Sequence, residues 1–189
     1  MPYFKFKLKT TIYANGTIAY NFYVYDELYS LATLFDELGY RTVAMHPYFG
    51  ANWSRPRVYD LLGFEETYFI EDMSYDEDDL IREYLSDEYA YSLIQDELTS
   101  DEDGERTFQF MITMQNHGGY TDYYDNFEVE QYVTDGPVNS IQMDIFLNLM
   151  RESDRAIEEF LTWLEDFEEP TVVLVFGDHH PHIPLTSNS

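Results

Sequence analysis

Four of the five histidines in this 189-residue sequence follow directly on short apolar runs. Met45 leads into His46, Met114 into Gln115-Asn116-His117, and Phe176 into Gly177-Asp178-His179-His180. Asp178 and His179 supply a hard oxygen and an imidazole nitrogen at the mouth of a strand-like run, a donor pair that suits Zn²⁺ or Mn²⁺ better than Ca²⁺. An isolated Asp-His pair is more often just a hydrogen-bonded turn. Similar polar clusters after two other apolar runs favour the metal reading, because ligands of open α/β sheets bind beyond the carboxyl ends of the strands. His180 and His182 read as exposed loop residues.

The second cluster opens the loop His46-Pro-Tyr-Phe-Gly-Ala-Asn-Trp-Ser-Arg55, in which Pro47 and Gly50 break regular structure. Arg55 offers a planar fork that matches phosphate or sulfate, and imidazoles are its natural company. The bland alternative makes Trp53 a loop anchor on the core and Arg55 a partner for a nearby acid. His117 titrates intrinsically near neutrality, which suits anion binding or protonation of a leaving group, although a lone histidine is commonly structural.

Elements that would position these groups are legible from periodicity. Leu28, Leu31, Leu34, Phe35 and Leu38 predict a helix capped by Asp26 and stopped at Gly39, followed by a strand over Arg41–Met45. A second helix spans Ser86–Leu98, and a strand covers Thr107–Thr113. Pro137 suits the first turn of a third helix whose stripe runs from Phe146 to Leu164, and Pro170 follows its end. Thr171–Phe176 reads as a continuous buried strand, and Thr17–Tyr25 alternates loosely like another. The pattern predicts an α/β fold with a mainly parallel sheet and helices on both faces.

Composition excludes several functions. Thirty-seven acids against ten bases give a formal charge of −27, whose field repels nucleic acid. The acidic runs Asp76–Asp79 and Asp101–Asp103 read as solvated faces, and the second lacks the ligand series of an EF-hand loop. Without cysteine there is no thiolate site or disulfide. No apolar run approaches the roughly 20 residues of a membrane span, and the N-terminus lacks the apolar core of a signal peptide.

Taken in order, Ser30-Leu-Ala-Thr-Leu-Phe-Asp-Glu-Leu-Gly-Tyr40, His46-Pro-Tyr with Trp53-Ser-Arg55, Thr113-Met-Gln-Asn-His-Gly118 and Phe176-Gly-Asp-His179 resemble the lipoteichoic-acid-synthase-like branch of the sulfatases, within the alkaline phosphatase superfamily. The resemblance covers Ser30 to Pro181. It implies that Asp178 and His179 are metal ligands and that His46, Trp53, Arg55 and His117 line the substrate pocket. The implied metal is divalent, Mn²⁺ first, with Zn²⁺ and Ca²⁺ as alternatives. The implied substrate is an anionic phosphoglycerol, phosphate or sulfate ester, handled on the outer face of the bacterial cytoplasmic membrane. Tyr48 stands where well-studied synthases tend to carry an acid.

The resemblance also implies an acidic ligand and a Thr or Ser nucleophile upstream of Ser30, and neither is recognisable there; Thr10, Thr11 and Thr17 lack the context. Residues 1–29 are therefore unassigned, and 30–189 are expected to form a partial catalytic domain without the nucleophile region or the C-terminal part. The first expectation is a fragment of a metal-dependent phosphoglycerol transferase or sulfatase-type enzyme acting on cell-envelope polymers. The alternative is a non-catalytic module that keeps the pocket for anionic ligands, and a third reading is an acidic structural protein.

Overall fold

A computed structural model describes residues 19–100, 104–130, 132, 141–181 and 183. Thr10, Thr11, Thr17, the acidic run 101–103, Pro137 and His182 lie outside the described residues.

Three parallel strands form the framework: β1 (Arg41–His46) lies between β2 (Glu66–Phe69) and β5 (Thr107–Met111). The register pairs Ala44 with Thr67 on one side and with Phe110 on the other. Side chains of β1 alternate between two covered faces. Ala44 joins a core with Val58, Tyr59 and Phe69, beneath α2 (Leu31–Glu37) and α3 (Arg55–Leu61). Phe108 stacks on Phe35 of α2 at 4.6 Å, and Phe64 stacks on both Phe108 and Phe110. The opposite face meets α4 (Asp87–Thr99): Met45 and Tyr68 share a shallow cleft with Tyr89 and Leu93, and Arg41 pairs with Glu97 as well as with Glu66 at 2.8 Å. Helices therefore cover both faces, as the alternation of elements predicts.

The long helix α5 (Ile141–Glu165) packs along α4 and closes a second core of Tyr120, Phe127, Val129, Ile145 and Leu149. A small hairpin of β3 (Leu80–Ile81) and β4 (Tyr84–Leu85) precedes α4. Sequence periodicity passes over this hairpin, β2 and α3, because each is too short to show a repeat.

Several expectations need correction. The first predicted helix starts at Leu31, since Ser30 rather than Asp26 caps it. The Ser30 hydroxyl accepts from the amides of Ala32 and Thr33 and donates to the Leu62 carbonyl at 2.5 Å. Gly39, with φ of 76°, does end it. Ala19–Tyr23 forms a short helix, α1, instead of a strand; Arg57 holds the carbonyls of Tyr20 and Val24, which ties the segment to α3 rather than to any sheet edge.

The larger correction concerns Thr171–Phe176, which is neither a strand nor buried. Val172 is 96% exposed and Leu174 77%. Both edges of β1 are already taken, and a strand added outside β5 gains one ladder while its far edge and much of its surface stay in water. An apolar run declares that it wants cover; it does not supply the neighbour.

Candidate active site

β1 delivers His46 to its carboxyl end, where the ring is completely buried. Its Nδ1 lies 2.8 Å from the Ile112 carbonyl oxygen. A carbonyl only accepts, so Nδ1 carries the proton and Nε2 holds a lone pair, which has no partner. Burial chiefly, followed by the charge of Arg55, lowers the imidazole to about 4, against the opposing hydrogen bond to Ile112. At neutral pH His46 is therefore an uncharged acceptor.

Between β1 and α3 the backbone makes an unusual turn. Trp53 and Ser54 both take left-handed conformations, with φ of 56° and 55°. Each costs on the order of 1 kcal/mol for a residue with a Cβ, and such strain persists only where packing imposes it. The turn lays the Trp53 indole 6.3 Å from His46 and 6.4 Å from His117, and it starts α3 with the Arg55 side chain turned inward. The room for this loop depends on Gly50, where a Cβ would lie 2.9 Å from the Phe69 ring.

Arg55 is buried, with its guanidinium carbon 5.0 Å from the Trp53 ring and 5.5 Å from that of Tyr20. Nη1 donates to the Tyr59 hydroxyl at 2.7 Å, while Nε has no partner. No carboxylate pairs with it among the described residues, despite the acidity of the chain. A buried cation without a counter-ion is costly, and aromatic faces offset only part of that cost. Such a group is prepared for an anion.

His117 closes the arrangement from the loop after β5. Its ring is 5.7 Å from Tyr84, and its Nδ1 is 3.2 Å from the Tyr84 hydroxyl. Tyr48 lies 5.8 Å from Tyr84 and 6.2 Å from His46, so His46, Trp53, His117, Tyr84 and Tyr48 form a closed ring of neighbours. His46, Trp53, Arg55 and His117, singled out from sequence, thus come together. Tyr84, Tyr20 and Tyr59 were missed; only the Arg55–Tyr59 spacing of one helical turn offered a signal.

Asp178 and His179 do not join them. His179 Nε2 is 3.6 Å from Asp178 Oδ2, but both side chains are about two-thirds exposed, and the other contact of His179 is with the His180 carbonyl. Among the described residues no group of three or more His, Asp or Glu side chains could hold a metal. Two adjacent exposed donors are too few to fit a divalent ion, which takes at least three protein ligands in a catalytic zinc site.

No described helix is long and apolar enough to cross a membrane. The Sulfatase family profile matches residues 9–187. A putative cyclic beta-1,2-glucan modification protein of Rhizobium meliloti is 28% identical over 92% of the chain, which covers 27% of that protein. Lipoteichoic acid synthase of Staphylococcus saprophyticus is 24% identical over 79% of the chain and 22% of its own length. The crystal structure of the lipoteichoic acid synthase LtaP from Listeria monocytogenes matches with a TM-score of 0.64 and 20% identity, covering 78% of this chain and 35% of that one. The chain thus spans about a quarter of the length of the curated relatives it matches. It belongs to the sulfatase family.

Proposed function

We propose that this chain carries the anionic-substrate pocket of a sulfatase-type enzyme acting on phosphate, phosphoglycerol or sulfate esters of cell-envelope polymers. The observation that carries the reading is the buried, counter-ion-free Arg55 beside the unpartnered Nε2 of a neutral His46. A ligand that satisfies both must bring an anionic oxygen to the guanidinium and a hydrogen-bond donor to the imidazole. A phosphoglycerol group has both, whereas inorganic sulfate has only the first. Trp53 and His117 stand beside these groups and complete the walls.

Family members generally depend on a divalent metal. Asp178 and His179 are our choice for two of its ligands, with Mn²⁺ as the metal; they form a site only once Val172–Phe176 docks and further donors join them. The transfer step is not assigned to any residue of this chain.

The test is titration of the chain with sn-glycerol 1-phosphate, glycerol and sulfate at about 0.15 M salt, where long-range repulsion by the acidic surface is screened. Expected is an order of glycerol phosphate over sulfate over glycerol, abolished by Arg55→Met. Equal weak binding of all three, indifferent to Arg55, sinks the proposal. The absence, among the described residues, of a metal-ligand group around Asp178 and His179 favours one second reading, a binding module without turnover. Binding without hydrolysis of a phosphoglycerol donor in Mn²⁺ would select it.

A further inference from the structure

The β3–β4 hairpin reaches the loop of His117 through two side chains that the proposed function does not use. Arg82, in the turn of the hairpin, has a left-handed backbone with φ of 59° and is only 4% exposed. Its Nη2 donates to the carbonyls of Gln115 at 2.7 Å and His117 at 2.9 Å, and its guanidinium sits between the rings of Tyr84 and Tyr120. It has no carboxylate partner among the described residues, and Nε and Nη1 are unpartnered. The intervening carbonyl, of Asn116, accepts from the Tyr120 hydroxyl at 2.7 Å. Three consecutive carbonyls are thus each held by a side chain. Asn126 holds the hairpin in turn, donating to the carbonyls of Leu80 and Arg82.

From the other side the loop is tied to the helices. Gln115 accepts from the Asp87 amide at 2.9 Å and donates to Ser153 at 3.0 Å, and Asn116 donates to the same hydroxyl at 2.6 Å. The Ser153 hydroxyl donates in turn to the Asp87 carboxylate at 2.5 Å. A strained turn and a buried, unpaired arginine are both unfavourable, and a turn alone requires neither. What they achieve together is an exposed imidazole on a backbone hydrogen-bonded at three consecutive carbonyls, and functional groups need that kind of support to hold their geometry.

We propose that Arg82 and Tyr84 are positioning residues for His117: Arg82 fixes its backbone through the Gln115 and His117 carbonyls, and Tyr84 fixes its ring through Nδ1, so that Nε2 faces the ligand in one tautomer. This rests on the reading of His117 as a pocket residue. A hydroxyl can donate or accept, and the two directions correspond to the two ring tautomers; the phenol is the more acidic partner, so the Tyr84 hydroxyl donates to Nδ1 and the proton of the neutral ring lies on Nε2.

The experiment is ¹⁵N–¹H spectroscopy of the histidine rings in the whole chain, with His117 assigned by its loss in His117→Gln, alongside titration with inorganic phosphate. In the wild type His117 should show one neutral tautomer, unlike an unconstrained exposed histidine. Tyr84→Phe should bring tautomer averaging at His117 and weaken phosphate binding about threefold to tenfold, the equivalent of one lost hydrogen bond. Arg82→Met should broaden the same resonances, and Arg82→Lys, which keeps a donor, should recover part of the order. Dispersed amide spectra check that each variant remains folded. An averaged His117 ring in the wild type, or one unchanged in folded Tyr84→Phe, overturns the proposal. If the ring signature behaves as expected but the wild type binds no phosphate, positioning stands and the anion-pocket reading fails.

Discussion

The cluster around His46 and the segment around His179 carry comparable chemistry and differ in every aspect of support. His46, Trp53, Arg55 and His117 come from a central strand, a strained turn, the start of a helix and a loop held at three carbonyls, and each has a contact from an element distant in sequence. Asp178 and His179 follow a largely exposed apolar run, and among the described residues their polar contacts are with adjacent residues. Residue type proposes a site in both places. Only in the first does the fold impose a geometry, and only there does burial change the chemistry, by keeping His46 neutral and leaving Arg55 without a counter-ion.

The contrast is tested first by truncation. Tyr59→Ala, beneath Arg55, should cost about 3–5 kcal/mol in urea unfolding, whereas Leu174→Ala should stay within about 0.5 kcal/mol. A comparable loss at Leu174 would mean that the run is docked in solution, and the contrast would collapse. Next comes acidification. His46 is held at about 4 against an unfolded value near 6.5, so between these values the unfolded chain binds more protons. Its contribution is complete above about pH 6.5 and disappears as pH falls to about 4, about 3–4 kcal/mol in all. Burial raises the Asp87 carboxyl, which acts in the opposite sense, so the measurement is the wild-type minus His46→Gln difference in unfolding midpoint across that range.

Ligand binding sharpens the comparison further. Arg55→Lys keeps the charge but loses the planar fork and its stacking on Trp53, and should weaken glycerol phosphate binding by about 1–2 kcal/mol by calorimetry. The smallest effect belongs to Asp178→Asn. It should leave stability within about 0.5 kcal/mol and phosphate affinity unchanged, with any weak Mn²⁺ binding reduced. A loss of phosphate affinity there would show the two regions to be coupled.

The helix stop at Gly39, the helix behind Ser86 and the strands ending near His46 and His117 were all legible, because each couples a periodic apolar pattern to a specific breaker or cap. That His46, Trp53, Arg55 and His117 gather in one place was legible through their types and their place after apolar runs. The hairpin carrying Arg82 and Tyr84 was not, since four paired residues show no period and their contacts reach more than thirty positions along the chain.

By itself, then, the sequence determined which segments need burial and which side chains can do chemistry, because both are local properties of residue type and spacing. The tertiary structure decided that His46 is neutral, that Arg55 lacks a counter-ion among the described residues and that the His117 carbonyl is held by Arg82, because desolvation, pairing and backbone capture depend on groups brought from afar. It also decided that Thr171–Phe176 stands apart. Apolar composition is a property of a segment, whereas strand pairing is a property of two.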